Sequence, residues 1–317
     1  MKFSFILLRN MNQKFSSGSL SRNLFNLALI FGVLIVITAC VCRGDRDSSL
    51  DMKPTPNETP PKTEAPTDIP TKIVEKDKNR KEDKGDFLVE HVRINDSRYE
   101  EIDRQIKDEK LLEKAADQLN RALILPHDIT MRTTNCGVIN AFYNPQDKSI
   151  TMCYEFMEYF YTLFRNAGAS DQEAYDGMFD ATRFFFLHEI GHALIDAYKL
   201  PVTANEEDAA DRCSSFVCLN ELGDEGVNAI LAAADFFRLE SQNNTQRPSG
   251  SEMADEHLLQ EQRFYNSLCM VYGSNPNKYA GIVTKGLLPE ARAVRCPNEY
   301  QRTADSWSQL LEPWRKN

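Results

Sequence analysis

Two histidines four residues apart inside an apolar run constrain this 317-residue chain more than any other feature. The run reads Phe184-Phe185-Phe186-Leu187-His188-Glu189-Ile190-Gly191-His192-Ala193-Leu194-Ile195. A helical period stacks residues i and i+4, so both imidazoles leave one face and can reach one metal ion. Glu189 stands one position along, angled away from ligation but within reach of a proton on water at such an ion. Aromatic and aliphatic residues fill the other faces and bury the helix, and Gly191 leaves room for a second element to approach closely.

A catalytic zinc site takes three protein ligands and keeps one position open. The next helical segment, Thr203-Ala204-Asn205-Glu206-Glu207-Asp208-Ala209-Ala210-Asp211, supplies the third. Glu207 follows His192 by 15 residues, enough chain for a turn at Pro201 and a helix folded back over the first. Asp211 lies one turn further on the same face and is placed to accept the free ring N–H of a ligand histidine. Glu206 and Asp208 read as solvated charges that favour the helix N-terminus. The expected set is therefore His188, His192 and Glu207 on Zn2+, Asp211 behind them, and Glu189 as general base for hydrolysis by an activated water.

Charge and composition divide the chain into three. Residues 1–42 hold four basic groups and no acids, residues 43–85 are balanced, and 86–317 hold 23 basic and 37 acidic groups. A body this acidic repels phosphate backbones, so nucleic acid is not an expected partner. Leu24–Cys40 is almost wholly apolar behind a basic start, the layout of an export signal. Ile37-Thr38-Ala39-Cys40 resembles the lipobox of bacterial lipoproteins, which makes Cys40 a lipidation site. The competing reading is an uncleaved anchor helix, because the run is near the lower limit for spanning a bilayer. Either way the body is expected in the cell envelope, exported and membrane-anchored. Residues 43–85 carry six of the 14 prolines and few large apolar groups, and read as a disordered tether.

Within 86–317 the expected fold class is α+β: a small sheet followed by a mostly helical bundle. Helical spacing runs over 98–123, and strand-like pieces follow at Ile129–Thr134, Ala141–Tyr143 and Ser149–Tyr154. Capping boxes at Ser170/Glu173 and Thr203/Glu206 open the two motif helices, and further helices are expected near 225–239 and 255–272. Six cysteines remain in the body. Cys136 and Cys153 flank the strand-like runs and Cys269 and Cys296 bracket a loop, so these are the two expected disulfides. Cys213 and Cys218 are expected to be buried thiols. The strand at Asn140–Tyr143 reads either as an edge that pairs with an extended substrate or as plain structure with Phe142 in the core.

His188-Glu189-Ile190-Gly191-His192 followed by Glu207-Asp208-Ala209-Ala210-Asp211 resembles the gluzincin metallopeptidases. Cys136-Gly137, Asn140–Tyr143, Cys153-Tyr154-Glu155 and Gln262-Arg263-Phe264-Tyr265-Asn266 resemble one bacterial metallopeptidase family catalogued as a domain of unknown function, over roughly residues 100–315. The resemblance implies a zincin-like fold, a peptide or protein substrate, and a histidine after the third ligand that stabilises the oxyanion. His257 is the candidate for that role, against a reading as a helix-cap histidine, with Tyr154 and Tyr265 as other donors. The competing function is a zinc-binding envelope lipoprotein without turnover, serving as a binding or scaffold protein.

Overall fold

Ile129, Met131 and Thr133 are buried and alternate with half-buried neighbours, the period-two pattern that makes a strand. In the computed structural model the described residues are 81–203, 205–243 and 248–316. Leu24–Cys40, with the lipidation candidate Cys40, and the tether up to residue 80 lie outside them. Four strands, β1 (Phe87–Val89), β2 (Ile129–Thr134), β3 (Ala141–Asn144) and β4 (Ser149–Cys153), form one sheet in the order β1-β2-β4-β3. β1, β2 and β4 are parallel neighbours, and β3 returns antiparallel to β4 with Phe142 opposite Thr151 and Tyr143 opposite Ile150. The hairpin turns at the predicted Asn144–Asp147 segment, where the Asn144 side chain accepts the Gln146 N–H at 3.0 Å.

Helices α1 (Glu100–Asp108) and α2 (Leu111–Ala122) precede β2, and α3 (Tyr154–Asn166) follows β4 directly. The single helix expected over 98–123 is broken because Lys110 adopts the left-handed conformation at φ 53°. Then come α4 (Asp171–Tyr198), α5 (Glu206–Glu221), α6 (Gly223–Asn243), α7 (Gln260–Ser274) and α8 (Cys296–Leu311), with short helical turns between them. The class is α+β, a small sheet and a helical bundle. The Ser170/Glu173 capping box opens α4 as predicted. For α5 the cap is Asn205, not Thr203: its side chain accepts the Glu207 N–H at 2.7 Å.

The core is densest behind α4, where Phe160, Phe184, Phe185, Phe236 and Phe237 pack with ring centroids 5.0–6.3 Å apart. Such edge and stacked contacts hold α4 against α3 and α6 and leave it little freedom to rotate. On its other side α5 approaches so closely that a Cβ on Gly191 would stand 3.1 Å from Ala210 Cα and from Cys213 Cβ.

Cys136–Cys153 and Cys269–Cys296 are disulfides, and Cys213 and Cys218 are buried thiols, as the spacing predicts. Glu155 accepts the N–H groups of Cys136 and Gly137 at 3.0 and 2.8 Å, which fixes the loop entering β3. Asp83–Gly85, read as tether from composition, are hydrogen-bonded to Leu125, and Lys316 N–H donates to the Ala122 carbonyl at 2.9 Å.

Candidate metal centre

α4 projects His188 and His192 toward the first two turns of α5, which carry Glu206, Glu207 and Asp211. His188 and Glu189 are 3% and 7% exposed, so neither meets bulk water. His188 Nδ1 lies 2.9 Å from Asp211 Oδ1, and His192 Nδ1 lies 2.8 Å from Glu206 Oε1. A carboxylate only accepts, so each Nδ1 carries a hydrogen, and a ring that gives up its Nε2 proton to an incoming ion keeps that lone pair for the centre. Asp211 stands where the sequence predicts. Glu206 does not: it is the ring partner of His192, although half of its side chain remains in solvent.

The three inward donors converge. His188 Nε2 and His192 Nε2 are 3.1 Å apart, and Glu207 oxygens lie 3.0 Å from the first and 3.4 Å from the second. Ligands at the 2.0–2.1 Å of a tetrahedral zinc site are separated by about 3.3 Å. Two imidazole nitrogens and a carboxylate at this spacing therefore fit one divalent ion, and the remaining corner is left for water or substrate. Burial pushes His192 down, but hydrogen bonds to Glu207 and Glu206 outweigh it and raise its pKa to about 9. Burial pushes Glu207 up, but hydrogen bonds from His188, His192 and His257 hold it well below the usual carboxylate range. Those bonds are the proton-loaded counterpart of metal ligation, so an incoming ion displaces protons.

Glu189 faces the sheet side of the centre. Its Oε2 accepts the Tyr143 backbone N–H at 2.8 Å, while burial pushes its pKa up against the charges of His188 and His192. This N–H points away from β4, so β3 turns its free edge to the centre. The hydroxyl of Tyr143 and Lys148 Nζ both donate to Asp196 at 2.7 Å, tying the β3–β4 hairpin to α4 one turn beyond His192. A backbone donor of this kind has no residue-type signature, and sequence reasoning missed it.

His257 lies on the loop before α7, not at the start of the helix expected near 255–272. Its Nε2 is 3.0 Å from Glu207 Oε2, and Asp255 Oδ1 accepts its backbone N–H at 2.8 Å and meets Nδ1 at 3.0 Å. Asn205 Nδ2 donates to the Glu256 carbonyl, so the residue that caps α5 also anchors this loop. Tyr154 is directed elsewhere: its hydroxyl bonds to Asp103 and Thr133 at 2.6 and 2.9 Å beneath the sheet. Tyr265 packs against Phe264 and the core.

A family profile described as “putative metallopeptidase” matches residues 91–311. The chain belongs to this metallopeptidase family. The match spans β2, β3 and β4, both motif helices and α7, and a metal ion and peptide or protein substrates come with the family's description. Among curated proteins and among solved structures, nothing matches the chain. For a metallopeptidase, the group His188, His192 and Glu207 is the one in the described residues whose donor atoms could hold the ion. The other clustered set, Cys136, Cys153 and Glu155, has its sulfurs joined in a disulfide.

Proposed function

We propose that the chain is an exported, membrane-anchored zinc metallopeptidase, with His188, His192 and Glu207 as ligands and Glu189 as general base. The observation that carries this reading is the convergence of three lone-pair donors beside a buried carboxylate held by a backbone N–H. An ion held by these three residues would acidify water and polarise the scissile carbonyl. Glu189 accepts the proton of the attacking water and passes it to the leaving amine. The Tyr143 N–H occupies one oxygen of that carboxylate and leaves the other for the proton. His257, steadied at Nδ1 by Asp255, has Nε2 3.0 Å from Glu207 Oε2, beside the ligand group, and in this reading it is the donor to the developing oxyanion. Hydrogen bonding to Glu207 raises the His257 pKa, which favours the donating form. The free edge of β3 is then the surface along which an extended peptide lies.

Export and anchoring rest on the basic start, the apolar Leu24–Cys40 run and the lipobox-like Ile37–Cys40 segment. The decisive experiment is zinc content of the purified chain beside Glu189→Gln and Glu207→Ala, with cleavage of an unfolded protein in parallel. One zinc in the parent, kept by Glu189→Gln with cleavage lost and weakened in Glu207→Ala, is the expected result. No zinc in the parent overturns the reading. Zinc without any cleavage moves it to a binding or scaffold role.

A further inference from the structure

Arg263 is a buried cation with no place in the ligand set. It projects from the first turn of α7 and is 6% exposed, and its stem-to-head path is closed by aromatic rings. The guanidinium lies 4.2 Å over the Phe237 ring and 5.8 Å from that of Phe185. An arginine is buried only where its charge and donors are met. Here they are met by Asp211: Nε donates to Oδ2 and Nη2 to Oδ1, both at 2.8 Å. Oδ1 of the same carboxylate is 2.9 Å from His188 Nδ1. A continuous line thus runs from two phenylalanines through Arg263 and Asp211 to the ring that faces the metal position.

We propose that Arg263 is a positioning residue of the metal centre: by gripping both oxygens of Asp211 it sets the plane and the tautomer of His188. A lone carboxylate can rotate about χ2 and offer either oxygen to the imidazole. The two-pronged grip removes that rotation, because a planar fork matches a carboxylate in one orientation. The aromatic faces remove the corresponding freedom of the guanidinium. Charge points the same way. Glu189, Glu206, Glu207 and Asp211 crowd one small region, and Arg263 places a fixed positive charge on the side remote from the metal ligands. Lysine in its place would supply the charge as a point without the fork, and methionine would supply the packing without either.

This inference rests on the metal-centre reading, and the test separates the two. Zinc affinity of the full-length chain is measured by chelator competition for the parent, Arg263→Met, Arg263→Lys, Asp211→Asn and the Arg263→Met/Asp211→Asn double variant. Zinc affinity should fall about 10- to 100-fold in Arg263→Met, the usual loss for residues that orient a ligand. Arg263→Lys should lie between the parent and Arg263→Met. The double variant should bind no more weakly than Asp211→Asn alone, because the arginine acts only through that carboxylate. A purely structural arginine predicts instead that the two losses multiply, or that Arg263→Met lowers only the melting temperature of the metal-free chain while binding zinc as the parent does. Either of those results overturns the inference and leaves the metal centre standing. Should Arg263→Met fail to fold, parent-like affinity in Arg263→Lys overturns it equally. A parent that binds no zinc overturns both.

Discussion

Gly191→Ala tests whether the metal ligands depend on how closely α5 lies on α4. The added Cβ would stand 3.1 Å from Ala210 Cα, a backbone atom that cannot move without its helix. Carbon atoms prefer separations of about 3.5–4.0 Å, so α5 must retreat by about half an ångström. Glu207 and Asp211 travel with it, since they lie on the same rigid element within one turn of the contact. Metal–ligand distances tolerate only about 0.2 Å. Stability and ligation should therefore part company. Alanine for glycine inside a helix contributes about 1 kcal/mol of propensity, and overpacking costs about 1–3 kcal/mol, so the net loss is at most about 2 kcal/mol. In a domain of this size that lowers the melting temperature of the metal-free chain by at most about 8 °C. Zinc affinity, by contrast, should fall about tenfold or more, as it does for other changes that displace a ligand's support. Chelator competition beside thermal melts of the metal-free variant measures both. Zinc affinity within twofold of the parent would refute the geometric argument, whatever the melting temperature does.

Three other perturbations have worked-out directions. Burial pushes the Asp196 carboxyl up, but hydrogen bonds from Lys148, Lys199 and Tyr143 outweigh it and hold it well below the usual carboxylate range. A lowered folded-state pKa contributes stability above the unfolded value near 3.8 that is lost as pH falls below it. Thermal melts from pH 5 to pH 2 should show this loss in the parent and a shallower one in Asp196→Asn. Asn205→Ala removes both the α5 cap and the tie to the His257 loop, so stability should drop by about 1 kcal/mol. Cleavage should fall further than that implies while zinc content stays at the parental level, and unchanged turnover would count against His257 as oxyanion donor. Replacing Cys136 and Cys153 with serine opens a loop of 17 residues, which should cost about 3 kcal/mol in denaturant unfolding.

Local periodicity made the metal ligands legible. His188, His192, Glu207 and Asp211 each sit at helical spacings whose geometry follows from the α-helix alone, and Gly191 between them announced a close neighbour. What escaped was set by chain segments meeting at long range. Arg263 reaches Asp211 across 52 residues, although an arginine beside Phe264 and Leu268 on an apolar face is a signal that a carboxylate awaits it. Glu206 looked like a surface cap charge, because nothing in its neighbourhood says that the α4 ring comes within reach. The Tyr143 N–H belongs to the backbone and carries no residue signature at all. Asp255 became meaningful only once the loop before α7 folded beside Glu207. The break at Lys110 was equally hidden, since apolar spacing continues through it.

The two ends of the described domain touch. Asp83 forms an ion pair with Lys316 at 2.6 Å, Lys84 and Ile124 bond to Leu125 and Trp314, and the Trp314 ring stacks on Tyr198 at 4.1 Å. Such a molecule can be treated topologically as a ring that happens to be cut at this corner. A short linker from Lys316 to Lys81, with new termini opened in an exposed turn such as Lys285-Gly286, should yield a circular permutant with an intact metal centre. It also means that a cargo fused after Lys316 would leave the domain at the corner where Asp83 and Lys84 are held.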